Sequence, residues 1–372
     1  GTAGQKTLEY SKVGVPVPGT EQVTAEVVNG QDIVLSIDID MQQKLEEALA
    51  LRVEEVQGSG GSAMLMDSAT GEIYACSSSP TFDITDLTKI EEGATNLSSI
   101  SSSYEPGSTM KAVTMLAALE EGIVNPDTEY FCPAALKVDD YTITDSHERG
   151  DETMSATTII ADSSNVGVSL IARDMGFEKL YEYIQKYQLT ETTGVDYPGE
   201  AQGYVSPRDQ WSEVQGYNIS FGQGLTTTPI EMIRFYAALA NNGTATQPHF
   251  LLDVPTEEED RAYATSQITD NQSAIDQLET MMQATVDRGT GTDAQIEGYR
   301  VVGKTGTAEI ASDQGGYQQG VYNISFVGYL PDSSTNLVCF VGAYDVPGER
   351  QTVEAFHDIM TFAIDRYNIT QN

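Results

Sequence analysis

Residues 108–121 constrain this chain more than any other stretch. Met110, Val113, Met115, Leu116 and Leu119 run nearly all the way round a predicted helix that ends at Glu121, with Gly122 as its C-cap. A helix that is apolar on every side cannot lie on a surface, so the fold must enclose it between other layers. One cation sits inside it, Lys111. A lysine held among apolar side chains is desolvated and gives up its proton more readily, which a general base requires. Ser108 follows Pro106-Gly107 and opens the same helix, one turn before Lys111 and on its face. There the helix dipole and unpaired N–H groups favour a developing negative charge.

Lysine is scarce in this sequence. Lys111 is the only one between Lys89 and Lys137, and Lys304 the only one after Lys186. Lys304 begins Lys304-Thr305-Gly306-Thr307, after a β-rich run from Tyr299 to Gly303. Thr305 and Thr307 offer hydroxyls to a carboxylate, and Lys304 adds positive potential. Gly306 removes a side chain where an extended peptide could lie along a sheet edge. Between the two lysine motifs, Ser163-Ser164-Asn165 falls inside the helical stretch Ile159 to Ile171. Polar residues in a buried helix need partners. Ser163 can relay a proton and Asn165 can hold a peptide backbone. Each motif alone has an ordinary explanation: an N-cap serine beside a surface lysine, a back-bonded serine with a satisfied asparagine, a chance Lys-Thr-Gly. Their order along one chain specifies a serine acyl-transfer site.

Composition narrows the setting. A formal net charge of −37 over 372 residues makes nucleic acid and anionic membrane surfaces poor partners. The acidic run Glu257-Glu258-Glu259-Asp260 reads as a solvated loop. Cys76, Cys132 and Cys339 lack CxxC spacing and read as buried thiols. The three histidines form no HExxH pattern, and Cys132, Asp145 and His147 lack a clear fourth ligand. No metal and no cofactor is called for.

Residues 1–31 show no sustained period and read as a linker or the remnant of an N-terminal pedestal domain, with the catalytic domain over 32–372. A strand is predicted at 32–37, then an amphipathic helix through Met41, Leu45, Ala48, Leu49 and Val56. A hairpin follows about Ser68-Ala69-Thr70-Gly71. Helices are predicted over 155–175 and 177–187, and from the capping box Thr228-Pro229-Ile230-Glu231 to about Ala240. Late strands at 299–307, 322–329 and 337–344 precede a closing helix over 349–367. Strands at both ends with helices between them predict a mixed α/β domain whose mainly antiparallel sheet pairs early and late strands.

The three motifs, with Tyr104-Glu105-Pro106-Gly107-Ser108, Met66-Asp67-Ser68-Ala69-Thr70-Gly71-Glu72-Ile73 and Phe221-Gly222-Gln223-Gly224, resemble the penicillin-binding proteins. Within them the chain is most similar to the monofunctional class B D,D-transpeptidases, and Tyr104-Glu105 looks like the division and sporulation members. The resemblance implies the penicillin-binding-protein/serine β-lactamase-like fold, an antiparallel sheet with helices on both faces and an all-helical part. It implies Ser108 as nucleophile toward a D-Ala-D-Ala stem peptide, Lys111 as base and Ser163 as proton relay. Lys304 would tune both, Asn165, Thr305, Gly306 and Thr307 would bind substrate, and the N–H groups of Ser108 and Thr307 would form the oxyanion hole. β-Lactams would acylate Ser108. Implied partners are peptidoglycan stem peptides, the lipid-linked precursor, a SEDS-type glycosyltransferase and other division proteins. The implied location is the extracytoplasmic face of the bacterial cell membrane, reached through an anchor that this sequence does not contain. A D,D-carboxypeptidase, a serine β-lactamase or a β-lactam-sensing receptor domain would carry the same motifs. The long stretch from Asn165 to Lys304 favours the transpeptidase.

Overall fold

The computed structural model describes residues 1–257, 261–312, 316–348 and 350–371. Residues 258–260, most of the acidic run, lie outside the described residues. The chain divides into two compact units, one of Gly1–Ser36 with Leu251–Ala262 and one of Ile37–Phe250 with Tyr263–Asn372.

In the first unit Gln5–Thr7 pairs antiparallel with Gln22–Ala25. Of the strand predicted at 32–37, only Val34–Leu35 is paired, with Leu251–Asp253. A partner more than 200 residues away leaves no local signal, so the sequence could not assign 251–262 to this unit.

The second unit is built on strands β1 (Gly60–Asp67), β2 (Ile73–Ser79), β3 (Val302–Ala311), β4 (Tyr317–Tyr329) and β5 (Leu337–Pro347). They form one antiparallel sheet in the order β3-β4-β5-β1-β2, so the early hairpin pairs with the late strands and β3 is an edge. Side-chain alternation feeds two cores. On β1, Ala63 and Leu65 join one core while Met64 and Met66 join the other; on β5, Cys339 and Val341 oppose Val338 and Phe340. Both faces are therefore buried, and these strands read as apolar runs rather than as alternation. Helices α1 (Ile39–Glu55) and, at the chain's end, Val353–Tyr367 cover one face. Asp38 caps α1 by accepting from Asp40 N and Met41 N.

The other face carries the helical part. Helix α2 (Met110–Glu120) continues a 3₁₀ turn at Gly107–Thr109, and its residues from Met110 to Leu119 are all buried, as its composition requires. Around it lie α3 (Ala156–Ala161), α4 (Asn165–Met175), α5 (Phe177–Lys186), α6 (Pro229–Ala240) and α7 (Gln272–Arg288). The capping box of α6 forms in full, Thr228 Oγ1 accepting from Glu231 N and Glu231 Oε2 from Thr228 N.

The single helix predicted over 155–175 is two, because Ser163 takes φ 59. A non-glycine residue in that left-handed region ends α3, and Ser164 then caps α4 by accepting from Gly167 N. Among the described residues no helix is long and apolar enough to cross a membrane. All three cysteines are buried free thiols.

Candidate active site

Ser108 is placed by two glycines. Gly107 has φ 55 and Gly222 φ 91, and Gly107 N donates to Gly222 O at 3.0 Å. A Cβ on Gly222 would lie 2.0 Å from Gly107 O, so only glycine lets these backbones meet. This contact accounts for the Phe221–Gly224 segment. Glu105 adds a tie, its Oε1 accepting from Gly224 N at 2.9 Å. Ser108 emerges partly exposed in the 3₁₀ turn that leads into α2, rather than in the helix itself, and its hydroxyl makes no hydrogen bond among the described residues.

Lys111 and Lys304 are both fully buried and meet at Ser163. Lys111 Nζ donates to Ser163 O and to Ser163 Oγ, the latter at 3.1 Å. Lys304 Nζ reaches Ser163 Oγ at 2.9 Å, Thr305 O at 3.2 Å and Thr305 Oγ1 at 3.3 Å. Burial lowers Lys111 to about 7, with Asp145 pulling the other way. Burial also takes Lys304 well below the ordinary lysine value, reinforced by Lys111 and opposed by Asp162. A neutral lysine is a proton acceptor, and here two such amines flank one hydroxyl. The break between α3 and α4 makes this possible, since within a continuous helix the Ser163 carbonyl would bond along the helix instead.

The third wall is β3, which begins at Val302 rather than Tyr299. Alternation sends Lys304 and Gly306 to one side and Thr305, Thr307 and Glu309 to the other, where these three line the cleft. Thr305 Oγ1 also meets Thr290 Oγ1 at 2.6 Å.

Gly306 does not make room for a peptide. Its absent side chain would point at the serine turn, with a Cβ 2.3 Å from Ser325 Oγ and 3.1 Å from Pro106 O. The glycine lets β3 pack against the segment carrying Ser108. At the next residue, a Cβ on Gly107 would lie 2.3 Å from Thr307 O. A residue's C=O and N–H point to the same side of a strand, so both groups of Thr307 face the serine turn from the sheet's free edge.

The cleft encloses about 530 Å³, and Ser108, Ser163, Asn165, Thr305 and Thr307 all line it. Every site residue expected from the sequence therefore lies at one place, Lys111, Lys304 and Gly306 behind the walls rather than on them. Asn165 Nδ2 donates to Thr144 O at 3.0 Å. Sequence reasoning weighed Asp145 only as a metal ligand beside Cys132 and His147, and it missed Thr290, although Gly289-Thr290-Gly291 marks a turn in the sequence and a Cβ on Gly289 would strike Ala161 O at 2.1 Å. Nothing in the sequence tied Asp145 to the Ser163 turn, some twenty residues on. No group of three or more His, Cys, Asp or Glu among the described residues is placed to hold a metal ion.

Residues 61–361 match the family described as penicillin binding protein transpeptidase domain. Penicillin-binding protein PbpB of Mycolicibacterium smegmatis is 32% identical over 390 residues, 99% of this chain and 60% of that protein. Peptidoglycan D,D-transpeptidase FtsI of Escherichia coli K12 is 26% identical over 317 residues, 85% of this chain and 52% of that protein. The crystal structure of penicillin binding protein 3 from Mycobacterium tuberculosis, complexed with aztreonam, aligns with a TM-score of 0.86 at 29% identity, over 93% of this chain and 82% of that one. The chain thus spans less than two thirds of the length of these curated relatives.

Proposed function

The chain belongs to the penicillin-binding protein transpeptidase domain family, on its class B branch, and from that membership we propose that it is the catalytic domain of a peptidoglycan D,D-transpeptidase. The observation that carries the reading is the Ser163 hydroxyl held between two buried lysines, beside a free Ser108 hydroxyl in one cleft.

Ser108 Oγ attacks the carbonyl carbon of a terminal D-Ala-D-Ala bond and its proton passes to neutral Lys111. The oxyanion is met by the N–H groups of Ser108 and Thr307. Collapse breaks the C–N bond, and the proton held by Lys111 passes through the Ser163 hydroxyl, which takes it up as it gives its own to the departing D-alanine amine. An ester on Ser108 remains. An amine of a neighbouring stem peptide then attacks that ester, forming the cross-link and returning the proton to Ser108. Asn165 holds the donor backbone, and Thr305 and Thr307 bind the terminal carboxylate. Of two roles the sequence leaves open for Lys304, clamp for that carboxylate or member of the proton network, the bond to Ser163 Oγ favours the network.

In a β-lactam the leaving nitrogen stays tethered, so the ester persists. The aztreonam complex of the similar Mycobacterium tuberculosis protein supports such a ligand for this cleft. The full protein would work at the extracytoplasmic face of the cell membrane on lipid-linked precursor and stem peptides, beside a SEDS-type glycosyltransferase and other division proteins. Intact-mass spectrometry after benzylpenicillin treatment tests the reading. One adduct per chain, on the peptide holding Ser108, stable for hours and abolished by Ser108→Ala, is expected. An adduct that persists in the variant removes Ser108 from its role, and rapid turnover of the label points to a β-lactamase instead.

A further inference from the structure

Asp145 belongs to none of the three motifs, yet its carboxylate ties together the turn that carries Ser163. It follows the short strand Tyr141–Thr144, and its side chain is only 10% exposed. It accepts from Ser164 Oγ (2.8 Å), Val166 N (2.9 Å) and Arg149 Nε (2.6 Å). Ser164 and Val166 bracket Asn165, whose amide is fixed by the neighbouring Thr144 carbonyl. Residues 144–145 therefore hold the whole segment directly after the left-handed Ser163. A backbone in that region costs on the order of 1 kcal/mol or more and persists only where its surroundings hold it.

Charge gives Asp145 a second hold on the site. It is the anion acting on Lys111. Beyond Asp145, Lys111 faces Lys304 from β3, Lys304 faces Asp162 just past α3, and Asp145 itself is paired with Arg149, which also approaches Glu152 at 3.6 Å. Arg149 is anchored by donating to Cys132 O at 2.9 Å and Gly150 O at 3.0 Å. We infer that Asp145 is a positioning residue for acyl transfer, holding the Ser163 turn against the two lysines and supplying the negative charge that faces Lys111. This rests on the function proposed above.

The two roles separate in a pH profile of the second-order rate constant for acylation by benzylpenicillin. The base must be neutral, so the parent rate rises with pH through about 7, the Lys111 value. Asp145→Asn removes the charge that favours the protonated amine, so the ascending limb moves to lower pH by roughly half a unit to one unit. Its plateau falls about tenfold or more as the turn loosens. Arg149→Gln leaves the Asp145 charge unopposed and moves the limb to higher pH. Ser164→Ala keeps the charge and loses one bond, so its plateau falls with the limb in place.

A role in folding alone would lower the plateaus and leave every limb where the parent has it; that result overturns the inference. If circular dichroism shows Asp145→Asn unfolded, Arg149→Gln decides alone: an upward shift supports the inference and an unmoved limb overturns it. A parent protein that takes no benzylpenicillin at any pH instead removes the functional reading, and this inference with it.

Discussion

The turn around Ser163 and the strand β3 both present hydroxyls to the cleft, but they are held in different ways. On β3, residues Val302 to Glu309 pair continuously with Tyr329 to Tyr322, so the ladder sets where Thr305 and Thr307 point. At the turn no ladder exists. Ser163 sits at φ 59; beyond two backbone bonds, Ser163 N to Ile160 O at 3.2 Å and Ser164 N to Ile159 O at 2.9 Å, its place depends on side-chain bonds from Lys111, Lys304 and the capping Ser164. A wall fixed by backbone tolerates the loss of one side chain locally. A wall fixed by side chains passes the loss on to its neighbours.

Lys111→Arg should give the largest effect, because Lys111 reaches the turn from beneath and arginine cannot deprotonate at working pH. Acylation by benzylpenicillin should slow by roughly 10²–10⁴ in a folded protein. A parent-like rate would mean that the proton goes elsewhere.

Ser163 tests the turn itself. Both Ser163→Gly and Ser163→Ala remove the bridging hydroxyl and should slow acylation by on the order of 10². Both variants must take the left-handed backbone, but only alanine carries a Cβ that resists it, so Ser163→Ala should be less stable than Ser163→Gly by about 1 kcal/mol in urea unfolding. Equal stabilities would show that the left-handed backbone at 163 is not the strain the comparison assigns to it.

Lys304 bridges the two walls, its side chain leaving the strand and ending at Ser163 Oγ, and Lys304→Met removes that bridge. A loss of roughly tenfold or more is expected. It should be equal for a penicillin and for its carboxylate ester, because the network does not read the ligand's charge. A markedly smaller loss with the ester would restore Lys304 as a carboxylate clamp.

Thr305→Val should have the smallest effect. It removes one hydrogen-bonding group from a position the ladder still fixes, worth about 1 kcal/mol and thus roughly fivefold in acylation rate. Its thermal midpoint should stay close to the parent's. A collapse comparable with that of the Ser163 variants would erase the contrast between the walls.

By itself the sequence determined what must be buried and which chemistry could be carried. The order of the elements, strands at both ends with helices between, pointed to antiparallel pairing of early with late strands. An all-round apolar helix holding one lysine has to be enclosed, and its burial follows from composition, while the hairpin about Ser68–Gly71 and the capping box at Thr228 follow from turn and cap residues. Local signals of that kind travel with the residues that bear them. Only the tertiary structure decided how the motifs meet. The split at Ser163, the direction of the Gly306 face, the unit formed with Leu251–Ala262 and the part played by Asp145 all depend on partners distant in the chain. Helical periodicity over 159–171 remains intact through the break, because the residues flanking it are apolar on both sides. A single backbone angle, stabilised by contacts with α2 and β3 and followed by a segment that Asp145 holds, turned an expected helix interior into the meeting point of two lysines.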